Sequence, residues 1–118
     1  MSTLTPKAEL AIRTTTNAVF QSTSVTTAVT SNACNTTITT QTYSLAAGST
    51  SAFQFNNILI NADTSIVEGL LAGTSSTAGV PVLNLSGQAN GSIWIEITNA
   101  ASSGTLAGTL TIQLIVYS

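Results

Sequence analysis

From residue 18 onward, apolar and polar side chains alternate with a period of two. In Ser92–Thr98, Ile93, Ile95 and Ile97 fall on one side of an extended chain and Trp94, Glu96 and Thr98 on the other, the signature of a half-buried strand. In the stretch 109–117, Leu110, Ile112, Leu114 and Val116 alternate with Thr109, Thr111 and Gln113, and Ile115 then makes the end apolar on both faces. Upstream, the segments 19–30, 36–45, 51–60 and 65–71 carry the same mix of β-branched and aromatic residues, with Phe53 and Phe55 sharing a core face. Punctuation between them comes from Ala46-Ala47-Gly48, Asn61-Ala62-Asp63, the segment from Gly73 to Gly79, Gly87-Gln88-Ala89-Asn90-Gly91 with its Asn-Gly pair, and the loop-like run Asn99–Gly104. Only the segment 65–71 would tolerate a helix.

About seven or eight short strands separated by turn signals predict an all-β fold, an antiparallel β-sandwich or jelly roll. The stretch from about Val80 to Tyr117 reads as one antiparallel meander. The first seventeen residues differ: Lys7, Glu9 and Arg13 carry half of the chain's six charges, Pro6 disfavours helix at Thr5, and a threonine run follows. This predicts an extended N-terminal arm over 1–17 and a sandwich domain over 18–118. At 118 residues there is room for one core only.

Charge changes the picture most. Only 5% of residues are charged and the formal net charge is −2, against about 25% charged residues in an ordinary soluble domain. Solubility therefore rests on hydroxyls and amides, a surface weakly defended against association. With two cations, Lys7 and Arg13, the chain lacks the basic patch that binds nucleic acid. No apolar run reaches the length of a membrane-crossing helix, and the opening residues read as no secretory signal, so synthesis in a cytoplasm is expected.

The residues also exclude most chemistry. Without histidine there is no Ser-His-Asp or Cys-His arrangement, and one cysteine without histidine cannot build a zinc site. Cys34 reads as a small buried hydrophobe, with a reactive thiol as its rival. The acids Glu9, Asp63, Glu68 and Glu96 are scattered without motif, so no catalytic, cofactor or metal residue is assigned, and the chain is expected not to be an enzyme. Asp63 reads as a turn cap. Glu68 and Glu96 interrupt apolar strands, as edge-guarding charges do; either could instead meet Lys7 or Arg13 of a neighbouring copy. Trp94 reads as a core or subunit-contact residue, with ligand stacking the alternative.

The runs Ser49–Ile58, Ser65-Ile66-Val67, Gly79-Val80-Pro81, Gly91–Ala100 and Gly108–Ile112 together resemble small β-sandwich virion structural proteins of tailed bacteriophages, notably capsid decoration (cement) proteins. The resemblance covers about Ser44 to Ser118. It implies a homotrimeric module on the outer capsid surface, bound to the major capsid protein, with an N-terminal arm reaching neighbouring capsid subunits; on the arm of this chain the candidate partner-binding residues are Lys7, Glu9 and Arg13. Trp94, Glu96 and Glu68 are the candidate subunit contacts. The scarcity of charge after Arg13 departs from a salt-bridged attachment and favours apolar and hydrogen-bonded contact. The rival expectation is a receptor- or glycan-binding tail-fibre head, in which Trp94, Tyr43 or Tyr117 stacks on a sugar.

Overall fold

A computed structural model describes residues 16–63 and 65–117. Lys7, Glu9 and Arg13 therefore lie outside the described residues, and Thr16 and Asn17 open the first strand. The described residues form ten strands and no helix: β1 (Thr16–Phe20), β2 (Val29–Thr30), β3 (Asn35–Thr39), β4 (Tyr43–Leu45), β5 (Thr50–Asn56), β6 (Ile66–Thr74), β7 (Pro81–Ala89), β8 (Ser92–Asn99), β9 (Leu106–Gly108) and β10 (Leu110–Tyr117). One sheet has the order β1-β3-β10-β6, a second β2-β5-β8-β7, and β4 with β9 makes a two-stranded ribbon.

The core lies between the two larger sheets, and the alternation seen in sequence builds it. From the first sheet come Ile38, Leu110, Ile112, Leu114 and Val116; from the second come Phe53, Phe55, Ile93, Ile95 and Ile97; Tyr43 and Leu106 join from the ribbon. Register keeps each set on one face, since Phe53 lies opposite Ile95 and Phe55 opposite Ile93, and directly paired residues point the same way from a sheet. Gly69 shows how close the sheets come: a Cβ there would sit 2.9 Å from Leu83 Cδ2 and 3.2 Å from Leu114 Cδ2.

The all-β sandwich expected from the sequence is present, with differences in its wiring. Two pairings, β1 with β3 and β2 with β5, are parallel. The expected strand 36–45 is two strands, because the chain turns at Thr40, whose hydroxyl donates to Gln41 O and accepts from Leu110 N, each at 2.9 Å. The expected strand 19–30 is mostly loop. Gln21 is buried there, donating from Nε2 to Thr27 O at 3.0 Å and accepting at Oε1 from Gln41 N at 3.1 Å, so a buried amide rather than a ladder orders this segment.

The meander expected from Val80 to Tyr117 does not form. β7 and β8 are a hairpin with Gly91 at φ +85° in its turn. The chain then leaves that sheet, pairs β9 with β4, and enters the other sheet as β10. Asn99 drives the exit. It is fully buried; Nδ2 donates to Leu45 O and Gly104 O, both at 2.9 Å, and Oδ1 accepts from Val80 N at 3.0 Å and Ala101 N at 3.2 Å. That fills all four hydrogen-bonding places of a primary amide, tying the ends of β4, β7 and β8 to the loop that follows.

Candidate functional site: two outward sheet faces

Tyr43 is 1% exposed, which removes it from any sugar-stacking role. Its hydroxyl has no hydrogen-bond partner among the described residues, and burial pushes its pKa up to about 12 by penalising the phenolate. Cys34 is buried, as the packing reading expects. The turn at 61–63, ahead of β6, is capped by Asn61, not Asp63: Asn61 Oδ1 accepts from Asp63 N at 3.0 Å. No three His, Cys, Asp or Glu side chains come together among the described residues.

What remains is the outside of the sandwich, where the other candidates sit. The first sheet turns outward the row Tyr117 and Ile66, then Ile115 and Glu68, then Gln113 and Leu70. Ile66 is 62% exposed and Leu70 59%, with Tyr117 and, on β1, Phe20 also exposed. β6 is nine residues long, lies at the sheet's edge and pairs only with β10. Its second edge thus leaves backbone N–H and C=O groups unpaired among the described residues. Glu68 stands in the middle of this apolar strip, on an edge strand, where an edge-guarding charge belongs. Its carboxylate makes no hydrogen bond among the described residues, and no ion pair, since both cations lie in 1–15.

Glu96 does not share that role. β8 is an interior strand, flanked by β5 and β7, so it has no edge to guard. Its carboxylate instead organises the outer face of the second sheet: Oε1 accepts from Asn84 Nδ2 and Oε2 from Ser86 Oγ, each at 3.0 Å. Asn84 and Ser86 are the β7 partners of Glu96 and Trp94 in register, and Ala52 and Gln54 their β5 partners. Farther along, Thr50 and Thr98 hydroxyls meet at 2.7 Å.

Trp94 is 42% exposed and faces outward, so it is not a residue of the inter-sheet core. Its seat is a β-bulge. Between Ser86 and Ala89 the β7 strand carries one residue more than its partner, and Gly87 takes φ +60° there. A Cβ on Gly87 would meet Trp94 Cδ1 at 2.9 Å, so the indole rests directly on glycine backbone. The indole N–H and the Gln54 amide make no hydrogen bond within the described residues. Glu68 and Glu96 face outward from opposite sheets and do not form a carboxylate pair.

The sequence placed Trp94 and Glu96 together correctly, on the polar side of one strand. It missed Asn84, Ser86, Gln54 and Gly87, which register brings beside them; Gly87 was visible as a turn signal but not as a seat. Neither a protein-family model, nor a curated protein, nor a solved structure matches the chain.

Proposed function

We propose that this is a non-enzymatic virion structural protein that works in repeated copies, a capsid decoration (cement) protein bridging neighbouring capsid subunits on the outside of a phage head. The observation that carries the reading is β6: a nine-residue edge strand whose outward face offers Ile66, Leu70 and neighbouring Tyr117, guarded by Glu68 alone. Monomeric sheet proteins blunt such edges with charges, prolines or covering segments. Covering one of these apolar side chains would contribute about 1.5–3 kcal/mol, and many such clasps over a particle add without any one being strong. Homotrimer formation and attachment to the major capsid protein are parts of the same proposal, with the arm over 1–17 as the clasp.

Two measurements test it. Native mass and imaging of assembled particles should find the protein as multiple copies on the capsid exterior, and Leu70→Lys should lower occupancy without unfolding the chain. Deleting residues 2–15 should also lower occupancy. A chain that stays monomeric at high concentration and never binds assembled capsids would end the reading.

A further inference from the structure

We propose that the outer face of the β2-β5-β8-β7 sheet is a binding site for a neutral saccharide, with one sugar ring stacked on Trp94. This goes beyond the assembly role and does not require it. The apolar strip that carries that role is on the opposite sheet.

Three features of the Trp94 face fit a sugar. First, the indole packs at Cδ1 against Gly87 of the bulge, and Trp94 keeps 42% of its surface exposed. A rigid, flat aromatic surface suits the C–H faces of a pyranose ring and costs little ordering on binding. Second, the groups beside it are those that pair with hydroxyls. Glu96 spends one hydrogen bond per oxygen on Asn84 and Ser86, leaving lone pairs open on a carboxylate already fixed in place. Gln54, opposite Trp94 on β5, has its amide uncommitted, as is the indole N–H. Third, Ala52, opposite Glu96 on β5, is too short to cover the carboxylate from that side. The ligand is neutral because Glu96 is the sole charge in this constellation and no lysine or arginine occurs among the described residues; an anionic sugar would meet only repulsion. A shallow face of this kind binds weakly per copy, and a repeated array raises its effective strength.

The chain has a single tryptophan, so emission from Trp94 reports the site directly. The full chain is titrated with neutral oligosaccharides of hexoses and N-acetylhexosamines, and with a sialylated oligosaccharide as the anionic comparison. Saturable change is expected with at least one neutral probe, and Glu96→Gln, which keeps the reporter, should weaken it about fivefold. On a glycan array, Trp94→Ala should lose the same glycan by at least about tenfold, with its circular dichroism unchanged because the ring is outside the core. Three results would each overturn the site: no saturable change with any neutral probe up to about 50 mM, preference for the sialylated probe, or full array binding by Trp94→Ala. None of them bears on capsid occupancy, so the assembly reading stands or falls separately.

Discussion

The β7–β8 hairpin and the β6–β10 pair are both antiparallel, both carry a glutamate on the outward face, and are finished in opposite ways. On the hairpin, Glu96 is held by Asn84 and Ser86, Trp94 is seated on Gly87, and Asn99 closes the end with four hydrogen bonds. On β6, Glu68 has no such partners within the described residues, and Ile66 and Leu70 stand open. The neighbouring strand explains the contrast. β7 sets Asn84 and Ser86 within reach of the Glu96 carboxylate, whereas β10, the one strand beside β6, sets Ile115 opposite Glu68 and leaves its charge to solvent or to another chain.

The largest expected effect tests whether the hairpin end is locked. Asn99→Ala strands two carbonyls and two backbone N–H groups in a buried place, and should cost at least about 3 kcal/mol in urea unfolding; a loss below about 1 kcal/mol would show that the ends of β4, β7 and β8 hold without it.

Next comes a titration that neither outward face should supply. The fold holds Tyr43 neutral, so stability is full below its ordinary pKa of 10.0 and is lost as pH rises toward about 12. The loss should be roughly 2–3 kcal/mol over that window. Tyr43→Phe should remove this dependence and, by deleting an unpaired buried hydroxyl, add about 1 kcal/mol at neutral pH. An alkaline loss of the same size in Tyr43→Phe would move its origin elsewhere.

A glycine pair compares the two regions directly. Gly87→Ala puts a side chain at φ +60° and into the indole, at a cost of about 2 kcal/mol. Gly73→Ala on β6, whose Cβ would come no nearer than 3.9 Å to Thr111, should change stability by less than about 0.5 kcal/mol. Equal costs in thermal melts would erase the distinction between a shaped seat and an open strand.

The smallest effect separates the glutamates. Glu96→Ala should cost about 1 kcal/mol through Asn84 and Ser86, and Glu68→Ala within about 0.5 kcal/mol of nothing. Sedimentation should nevertheless show Glu68→Ala associating more readily, since it removes the one charge on the β6 strip.

The sheets were legible in sequence because burial on one face imposes a period of two, and Ile93, Ile95, Ile97 and the alternation of β10 record it without ambiguity. What escaped was whatever depends on polar residues turned inward. Asn99 begins a run that reads as loop, yet it is an interior residue whose amide decides where the chain changes sheets; no periodicity marks such a position. Gln21 and Thr40 broke two expected strands for the same reason. Glu96 resembled Glu68 as an apolar strand interrupter, and only strand order tells interior from edge. Trp94 and Glu96 were named as candidates, but the bulge and the β5 and β7 neighbours that make a surface of them belong to register.

The place of β10 has a consequence for biosynthesis. It is the penultimate member of its sheet in space, between β3 and β6, and comes last among the strands in order of translation. β6 has no ladder to join until it arrives, and β3 has only β1 beside it. Until residue 117 clears the ribosome, half of the sandwich has no centre, and the inward faces of β5 and β8 have no opposing layer. Such a core can close only once β10 has emerged, which makes nascent copies crowded on one polysome its most exposed moment.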